Sequence, residues 1–474
     1  MGLALYDTAR RRQRPFTPLH PGSVGVYLCG PTVQAGPHVG HARSAIAFDI
    51  LRRWLLAGGS AVTFVRNVTD IDDKIIAGAA AQGLPWFALA EANARAFSSA
   101  YDALQVLPPT VEPRATGHVP EMVALIAALI ASGHAYAAGG DVYFDVCSLP
   151  AYGALSGQSP EAMLATEPVE GSAKRSPLDF ALWKGARPGE PSWETPWGRG
   201  RPGWHLECSA MATRYLGSEF DIHAGGLDLL FPHHENELAQ SAGAGDGFAR
   251  YWLHNGMVNT SGEKMSKSVG NSLAVADVLQ SARPQALRYY LGAPHYRSSL
   301  DYSLSGLAEA EAAYARIETF VRNALEALGG VGEAEALVLG VEAPAAKAAE
   351  ESFAAALDDD LGVPRALSAV HGAVRAGNAA LSQHNRPVLA GWLAVVRRML
   401  EILALDPVSQ WPSAGGSDGR LRATVDGLVQ VALAARADAR GRRDFQAADG
   451  IRDALVAAGV VVEDTVDGVR WHLG

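Results

Sequence analysis

The sequence predicts a multidomain α/β protein: a parallel-sheet domain split by a connective insertion, then an α-helical bundle, then a small mixed α/β C-terminal domain. Three observations predict it. Residues 20–110 alternate strand-like runs (Val24-Gly25-Val26-Tyr27-Leu28-Cys29, Ala61-Val62-Thr63-Phe64-Val65) with helix-like stretches at 42–57 and 86–104, the pattern of a parallel sheet with crossover helices. Residues 308–328 and 343–405 are Ala/Leu-rich, poor in breakers and helically periodic, as in an antiparallel bundle. A length of 474 residues with 48% apolar content can fill several cores, about three domains at roughly 150 residues each.

The elements follow in order. After a helical stretch at 119–132 the pattern breaks, and 135–203 reads as an irregular insert with one strand at 141–145 and a Pro/Gly/Trp-rich run at 187–203. The α/β pattern resumes at Phe220-Asp221-Ile222-His223, with a helix from near Pro232 and a strand at 251–253, so the insert splits one α/β domain. Gly, Ser and Pro at 412–419 form a linker. The last segment, 419–474, runs helix, helix (447–458), then Val460-Val461-Val462-Glu463-Asp464 and Val469-Arg470-Trp471 as a terminal hairpin. No internal repeat is visible.

Composition narrows the function classes. No apolar run reaches about 18 residues, and Met1-Gly2-Leu3-Ala4-Leu5-Tyr6-Asp7 has neither a basic start nor an apolar core, so no membrane association and a cytoplasmic location are expected. Three cysteines, Cys29, Cys147 and Cys208, are too few and too odd in number for a disulfide framework. Cys147 is expected to be buried in the insert, without a role. The net charge of −10 argues against a general nucleic-acid coat, so an RNA partner needs local basic surface.

Two short segments carry the chemistry. Pro37-His38-Val39-Gly40-His41 follows the first strand and opens a helix, where a nucleotide phosphate is well placed; Lys264-Met265-Ser266-Lys267-Ser268 lies far downstream. Taken alone, the first reads more readily as a surface turn or an ordinary metal pair, and the second as a solvated loop. A third set is dispersed: Cys29, Cys208, and His233 with Glu237 four residues apart on one predicted helix face. Two thiolates, an imidazole and a carboxylate suit Zn²⁺, although spacing alone fits two buried cysteines and a solvated helix face as well.

The order and setting of the two motifs resemble those of class I aminoacyl-tRNA synthetases. Longer blocks resemble cysteinyl-tRNA synthetases in particular: Tyr27-Leu28-Cys29-Gly30-Pro31-Thr32-Val33, Arg66-Asn67-Val68-Thr69-Asp70-Ile71-Asp72-Asp73-Lys74, Gly203-Trp204-His205-Leu206-Glu207-Cys208-Ser209-Ala210-Met211 and Phe231-Pro232-His233-His234-Glu235-Asn236-Glu237. The resemblance runs from about residue 6 to 471. It implies a Rossmann-like catalytic domain (1–118 and 204–260) around a connective insertion (119–203), a lysine-loop and stem-contact region (261–307), the helical bundle (308–410) and an anticodon-recognition domain (419–474).

The resemblance also implies roles. Zinc is held by Cys29, Cys208, His233 and Glu237 and takes the substrate thiolate as a further ligand, with His234 and Glu235 structural. A soft metal separates cysteine from serine better than the about 1–3 kcal/mol that shape contributes for such pairs, so no editing domain is needed. ATP, with Mg²⁺, lies between His38, Gly40, His41, Lys264 and Lys267, with Lys267 the stronger of the two lysines; Asp228 accepts from the ribose, and Gly262 gives the lysine loop a hinge. Thr69, Trp204 and His223 enclose L-cysteine, although Trp204 alone reads as core. The product is cysteinyl-AMP, transferred to tRNA(Cys) by a monomer. Gln34-Ala35 departs from the Tyr-Asp common in relatives but leaves both histidines in place.

The C-terminal segment separates rival acceptors. A related ligase of mycothiol synthesis joins cysteine to an amino-sugar inositol and lacks the anticodon-binding end. Here 436–452 and Glu463-Asp464-Thr465 resemble the synthetase end, which places Arg440, Asp449 and Asp464 on anticodon bases. Residues 419–474 hold eight arginines and eight acids, so they are not basic overall; Arg436, Arg440 and Arg443 are expected on one helical face. A silent nucleotide-binding scaffold is the third reading, opposed by the intact motif residues.

Overall fold

The computed structural model describes residues 2–158, 173–260, 263–264, 273–330, 344–409, 411, 418–465 and 468–473; within them the backbone alone is described at 263–264, 418–424, 463–465, 468–470 and 472–473. They form two units, Met1–Trp411 and Pro412–Gly474.

In the first unit a hairpin, β1 (Ala4–Asp7) and β2 (Arg12–Pro15), precedes β3 (Ser23–Leu28), α1 (Val39–Ala57), β4 (Ala61–Arg66), α2 (Asp73–Ala81), α3 (Trp86–Ala103) and α4 (Val119–Ala131). Next come β5 (Ala135–Ala138), β6 (Asp141–Phe144), β7 (Phe180–Gly185) and β8 (Gly200–Pro202). α5 (Trp204–Leu216), β9 (Glu219–Gly226), α6 (Glu235–Ala244) and β10 (Phe248–Asn255) return the chain to the first sheet. β11 (Val258–Thr260), β12 (Glu263–Lys264), α7 (Val275–Val278), α8 (Pro284–Gly292) and β13 (Leu300–Tyr302) then lead to four long helices: α9 (Leu304–Leu328), α10 (Pro344–Asp358), α11 (Val363–Ser382) and α12 (Arg386–Leu403).

The central sheet has the order β10-β9-β3-β4, all parallel, with Val26 opposite Phe64 and Ile222. Its strands are buried on both faces, as parallel sheets require. Period-2 alternation sends Val24, Val26 and Leu28 into one core, shared with α1 and the four long helices, and Tyr27 and Cys29 into a second core with α4, α5 and the insertion. Because all four strands run the same way, their carboxyl ends open at one edge, where ligands of such sheets bind.

The insertion is more regular than the sequence suggests. β5-β6-β7-β8 form an antiparallel sheet with a register shift between Val142 and Tyr143. The strands are three to six residues long, and β8 is Gly-Arg-Pro, so local propensity reveals only β6, the strand expected at 141–145; pairing and the burial of Trp183 and Leu182 reveal the rest. Cys147 corrects a second expectation: it sits in a short turn after β6 and is exposed.

The second unit packs α13 (Asp418–Gly441), α14 (Phe445–Ala457) and an antiparallel hairpin, β14 (Val460–Thr465) with β15 (Gly468–Leu473), on Val429, Leu433, Val460 and Val462. Arg436 is buried and Arg440 exposed. Arg443 lies beyond the end of α13 at φ 62°, so the expected three-arginine helical face does not form: the helix stops before the third arginine.

Candidate active site

The carboxyl ends of the strands line a cleft of about 1300 Å³ whose walls include Cys29, His38, Gly40, His41, Trp204 and Asp228. At its floor, α1 begins with a reciprocal cap. The Gly40 N–H donates to His38 Nδ1 at 3.1 Å and the His38 N–H to His41 Nδ1 at 3.2 Å. The two rings stack with centroids 3.7 Å apart. A neutral imidazole whose Nδ1 accepts must carry its proton on Nε2, so each ring is fixed as a donor at the helix N-terminus, where the backbone also favours an anion. A Cβ on Gly40 would sit 2.9 Å from His38 Cε1, so only glycine lets this cap close without moving the ring.

Gly30 is constrained more tightly. A Cβ there would fall 1.6 Å from the Asn67 carbonyl oxygen, and Asn67 Oδ1 accepts from the Gly30 N–H at 2.7 Å. This close approach locks the loop after β3 to the loop after β4 and sets the position of Cys29.

Behind Cys29 the second core holds a buried polar cluster. Cys29, Cys208, His233 and Glu237 offer ligand atoms within 4.8 Å of one another, and so do Cys29, His223, His234 and Glu237. Cys29 Sγ donates to Glu237 Oε1 at 3.3 Å and lies 3.3 Å from His223 Nε2. His233 Nε2 is 3.0 Å from Glu237 Oε1, and His223 Nε2 is 3.4 Å from Glu237 Oε2. His233 and Glu237 meet although α6 begins only at Glu235: His233 sits in a wide turn after the non-helical Phe231, not on the regular helix face expected.

Burial alone would raise the Glu237 pKa and lower that of His233. Facing each other, and with His223 beside Glu237, they reverse both: Glu237 is held well below the carboxylate range and His233 is pushed up to about 10. Burial also raises both thiols. Hydrogen bonds from Cys29 and His233 overcome this for Cys208, brought down to about 6, while Cys29 stays well above its usual value.

Such a buried concentration of thiol, imidazole and carboxylate groups suits a cation. Glu237 Oε2, His223 Nδ1 and His234 Nε2 are buried without hydrogen-bond partners, so the cluster carries unused coordinating capacity. The set with both thiols is the softer and fits Zn²⁺ better. His234 Nδ1 is engaged with His254 Nε2 at 2.8 Å, and Glu235 accepts from Gly153 N and Ser156 N at 2.9 and 2.7 Å.

Of the expected substrate residues, Trp204 lines the cleft, 36% exposed and stacked on His233 at 4.3 Å between centroids; it is not the core residue its type suggests. Thr69 and His223 are buried, and Thr69 Oγ1 accepts from Asn67 Nδ2 at 3.2 Å. Asp228 is exposed on a short turn after β9. Lys264 has only its backbone described, in β12, and Gly262 and Lys267 lie outside the described residues. Arg440 and Asp449 are exposed, while Asp464 has only its backbone described, in β14 opposite Val469. Sequence reasoning missed Asp73, a cleft residue that binds Lys184 of the insertion at 2.5 Å and also pairs with Arg201. Its position at the first turn of α2 beside the Asp72 cap disguised it as a helix-start acid.

Residues 15–312 match the family described as the catalytic domain of class I (C) tRNA synthetases. Residues 352–405 match the DALR domain, and 425–471 the anticodon binding domain of cysteinyl-tRNA ligase. A cysteine–tRNA ligase of Streptomyces avermitilis is 56% identical over 475 residues, covering 100% of both chains. The chain belongs to the cysteine–tRNA ligase family. A second member, from Frankia casuarinae, is 54% identical over 527 residues, again covering 100% of both. The family's fold extends to distant solved structures. Mycobacterium tuberculosis methionyl-tRNA synthetase bound by methionyl-adenylate has a TM-score of 0.62 at 17% identity, covering 80% of this chain and 92% of its own. Agrobacterium radiobacter LeuRS in a ternary complex with tRNA and LeuAMS has a TM-score of 0.59 at 13% identity, covering 84% and 87%.

Proposed function

We propose that the protein is an ATP-dependent ligase that activates L-cysteine to cysteinyl-AMP and transfers it to the 3′ end of tRNA(Cys), acting in the cytoplasm as a monomer. The observation that carries this reading is the meeting, in one cleft, of the capped His38/His41 pair with Cys29 of the thiol–imidazole–carboxylate cluster. Membership of the family supports the acceptor: the anticodon-domain match at 425–471 favours tRNA over the amino-sugar.

His38 and His41 present Nε2–H donors to phosphate oxygens of ATP·Mg²⁺, and Gly40 lets the backbone come close. Asp228 receives the ribose hydroxyls. Lys267, assisted by Lys264, is the cation that stabilises charge on the α-phosphate and the departing pyrophosphate. The cysteine carboxylate attacks the α-phosphorus; positioning and charge stabilisation suffice, and no protein nucleophile is needed. Trp204 covers the amino acid, with Thr69 and His223 behind it. Cys29, Cys208, His233 and Glu237 hold Zn²⁺. The bound ion supplies a soft site that prefers thiolate to hydroxyl. Arg440, Asp449 and Asp464 read anticodon bases.

The test is charging of tRNA(Cys) beside ATP–pyrophosphate exchange with cysteine and serine on protein of known zinc content. Exchange and charging with cysteine, but not serine, is expected. Exchange without charging would redirect the reading to another acceptor, and neither activity from metal-replete protein would leave a scaffold.

A further inference from the structure

The bundle carries a groove of about 560 Å³ between α9 and α11, apart from the cleft at the strand ends. Arg316 and Thr319 line it from α9, and His371, Arg375 and Asn378 from α11. The α11 residues recur at intervals of four and three, so their side chains share one face of that helix. Phe320 of α9 is buried and forms part of the floor. A Cβ on Gly377 would sit 2.3 Å from its Cζ, so glycine lets the two helices close on the ring. Arg316 and Arg375 are exposed, and neither forms an ion pair or hydrogen bond with another described residue. Of the α9 acids, Glu311 and Glu318 pair with Arg283, and α11 contains no acidic residue. His371 is half-buried, with its Nε2 2.9 Å from Tyr289 Oη. Burial, then the charges of Arg316 and Arg375, hold its pKa below the usual value, so the ring is neutral at pH 7.

Two guanidinium groups without an acid, in a groove that also offers a hydroxyl and an amide, suit a phosphate, whose oxygens accept several N–H and O–H donors at once. We infer that the groove between α9 and α11 is a phosphate-binding site, filled by a backbone phosphate of RNA or by a small free phosphate. With a net charge of −10, the chain needs such local basic surface to meet RNA, and the three-arginine face expected in the second unit does not form. The RNA source deepens the proposed function and rests on its tRNA acceptor; the site itself does not.

The test compares the full chain with its Arg316→Gln/Arg375→Gln variant, using filter binding of tRNA(Cys) over a salt series and titration calorimetry with inorganic phosphate. If an RNA phosphate fills the groove, the variant should bind tRNA(Cys) about tenfold more weakly at low salt. The slope of log K against log[salt] should also be shallower by about 1. If the source is a free phosphate, RNA binding stays as it was and the calorimetric signal of one phosphate site is lost from the variant. Asn378→Asp, which puts a carboxylate into the groove, should act in the same direction and keeps the test available if the double variant folds poorly. RNA binding and phosphate heats that are both unmoved in a folded variant overturn the site. Wild-type protein that binds no tRNA(Cys), yet loses a phosphate heat on substitution, overturns the acceptor reading and leaves the groove as a phosphate site.

Discussion

At the scale of single residues, the site depends on side chains whose neighbours determine what they can do. His38 and His41 are donors because each Nδ1 is occupied by a backbone N–H. Gly40→Ala pushes the His38 ring out of the cap, so exchange should fall about 10–100-fold in kcat/KM for ATP, about 1.4–2.7 kcal/mol, with the melting temperature nearly unchanged. A comparable loss of stability would mean that the cap serves the helix, not the phosphate. Glu237 lies against Cys29, His223 and His233. Glu237→Gln removes the charge that offsets a bound cation, so purified protein should contain markedly less than one zinc per chain by plasma emission. Full occupancy in the variant would remove Glu237 from the ligand set. The histidines and cysteines were legible as residue types in sequence motifs. The exposure of Cys147 was not, because burial depends on what packs opposite; a cleft position for Trp204 came only from the resemblance, since its residue type alone reads as core.

At the scale of elements, α1 and α8 are joined by a buried ion pair that also reaches the last helix of the bundle. Arg288 on α8 donates to Asp49 on α1 at 2.6 Å, to the Leu403 carbonyl at 2.8 Å and to the Leu104 carbonyl at 2.7 Å. Burial would raise the Asp49 pKa; Arg288 and Arg53, with the Leu107 N–H, outweigh it and hold Asp49 below its usual value. A carboxylate with a depressed folded pKa contributes stability in full above its unfolded pKa of about 3.9 and loses that contribution as pH falls towards the folded value. Asp49→Asn should therefore flatten the acid side of the stability–pH curve measured by urea unfolding. Arg288→Ala should cost about 3–5 kcal/mol at neutral pH, since it leaves a buried carboxylate short of its main partner. A loss below about 1 kcal/mol would show that water or Arg53 takes over. Helices and central strands were readable from periodicity; of the four strands of the insertion only β6 was, the other three being short and held by pairing.

At the scale of the whole molecule, the matches to the catalytic domain (15–312) and to the anticodon binding domain (425–471) fall in different units, Met1–Trp411 and Pro412–Gly474. Arg440 is an exposed residue of the second, so Arg440→Ala should lower charging of tRNA(Cys) about tenfold or more while cysteine-dependent exchange stays within about twofold. Equal loss of both would sink the anticodon role. Among the described residues no single helix is long and apolar enough to cross a membrane.

The sequence by itself determined the order of domains, the parallel sheet, the bundle and the identity of the motif residues, because periodicity and residue chemistry are local properties of the chain. Tertiary structure decided what those residues do together. Cys29, Cys208 and Glu237 are separated by up to 208 positions, and only the convergence of β3, α5 and α6 in one dry core brings their atoms within 4.8 Å. The same convergence added His223 to the cluster, for charge coupling and burial act through space and leave no period in the sequence.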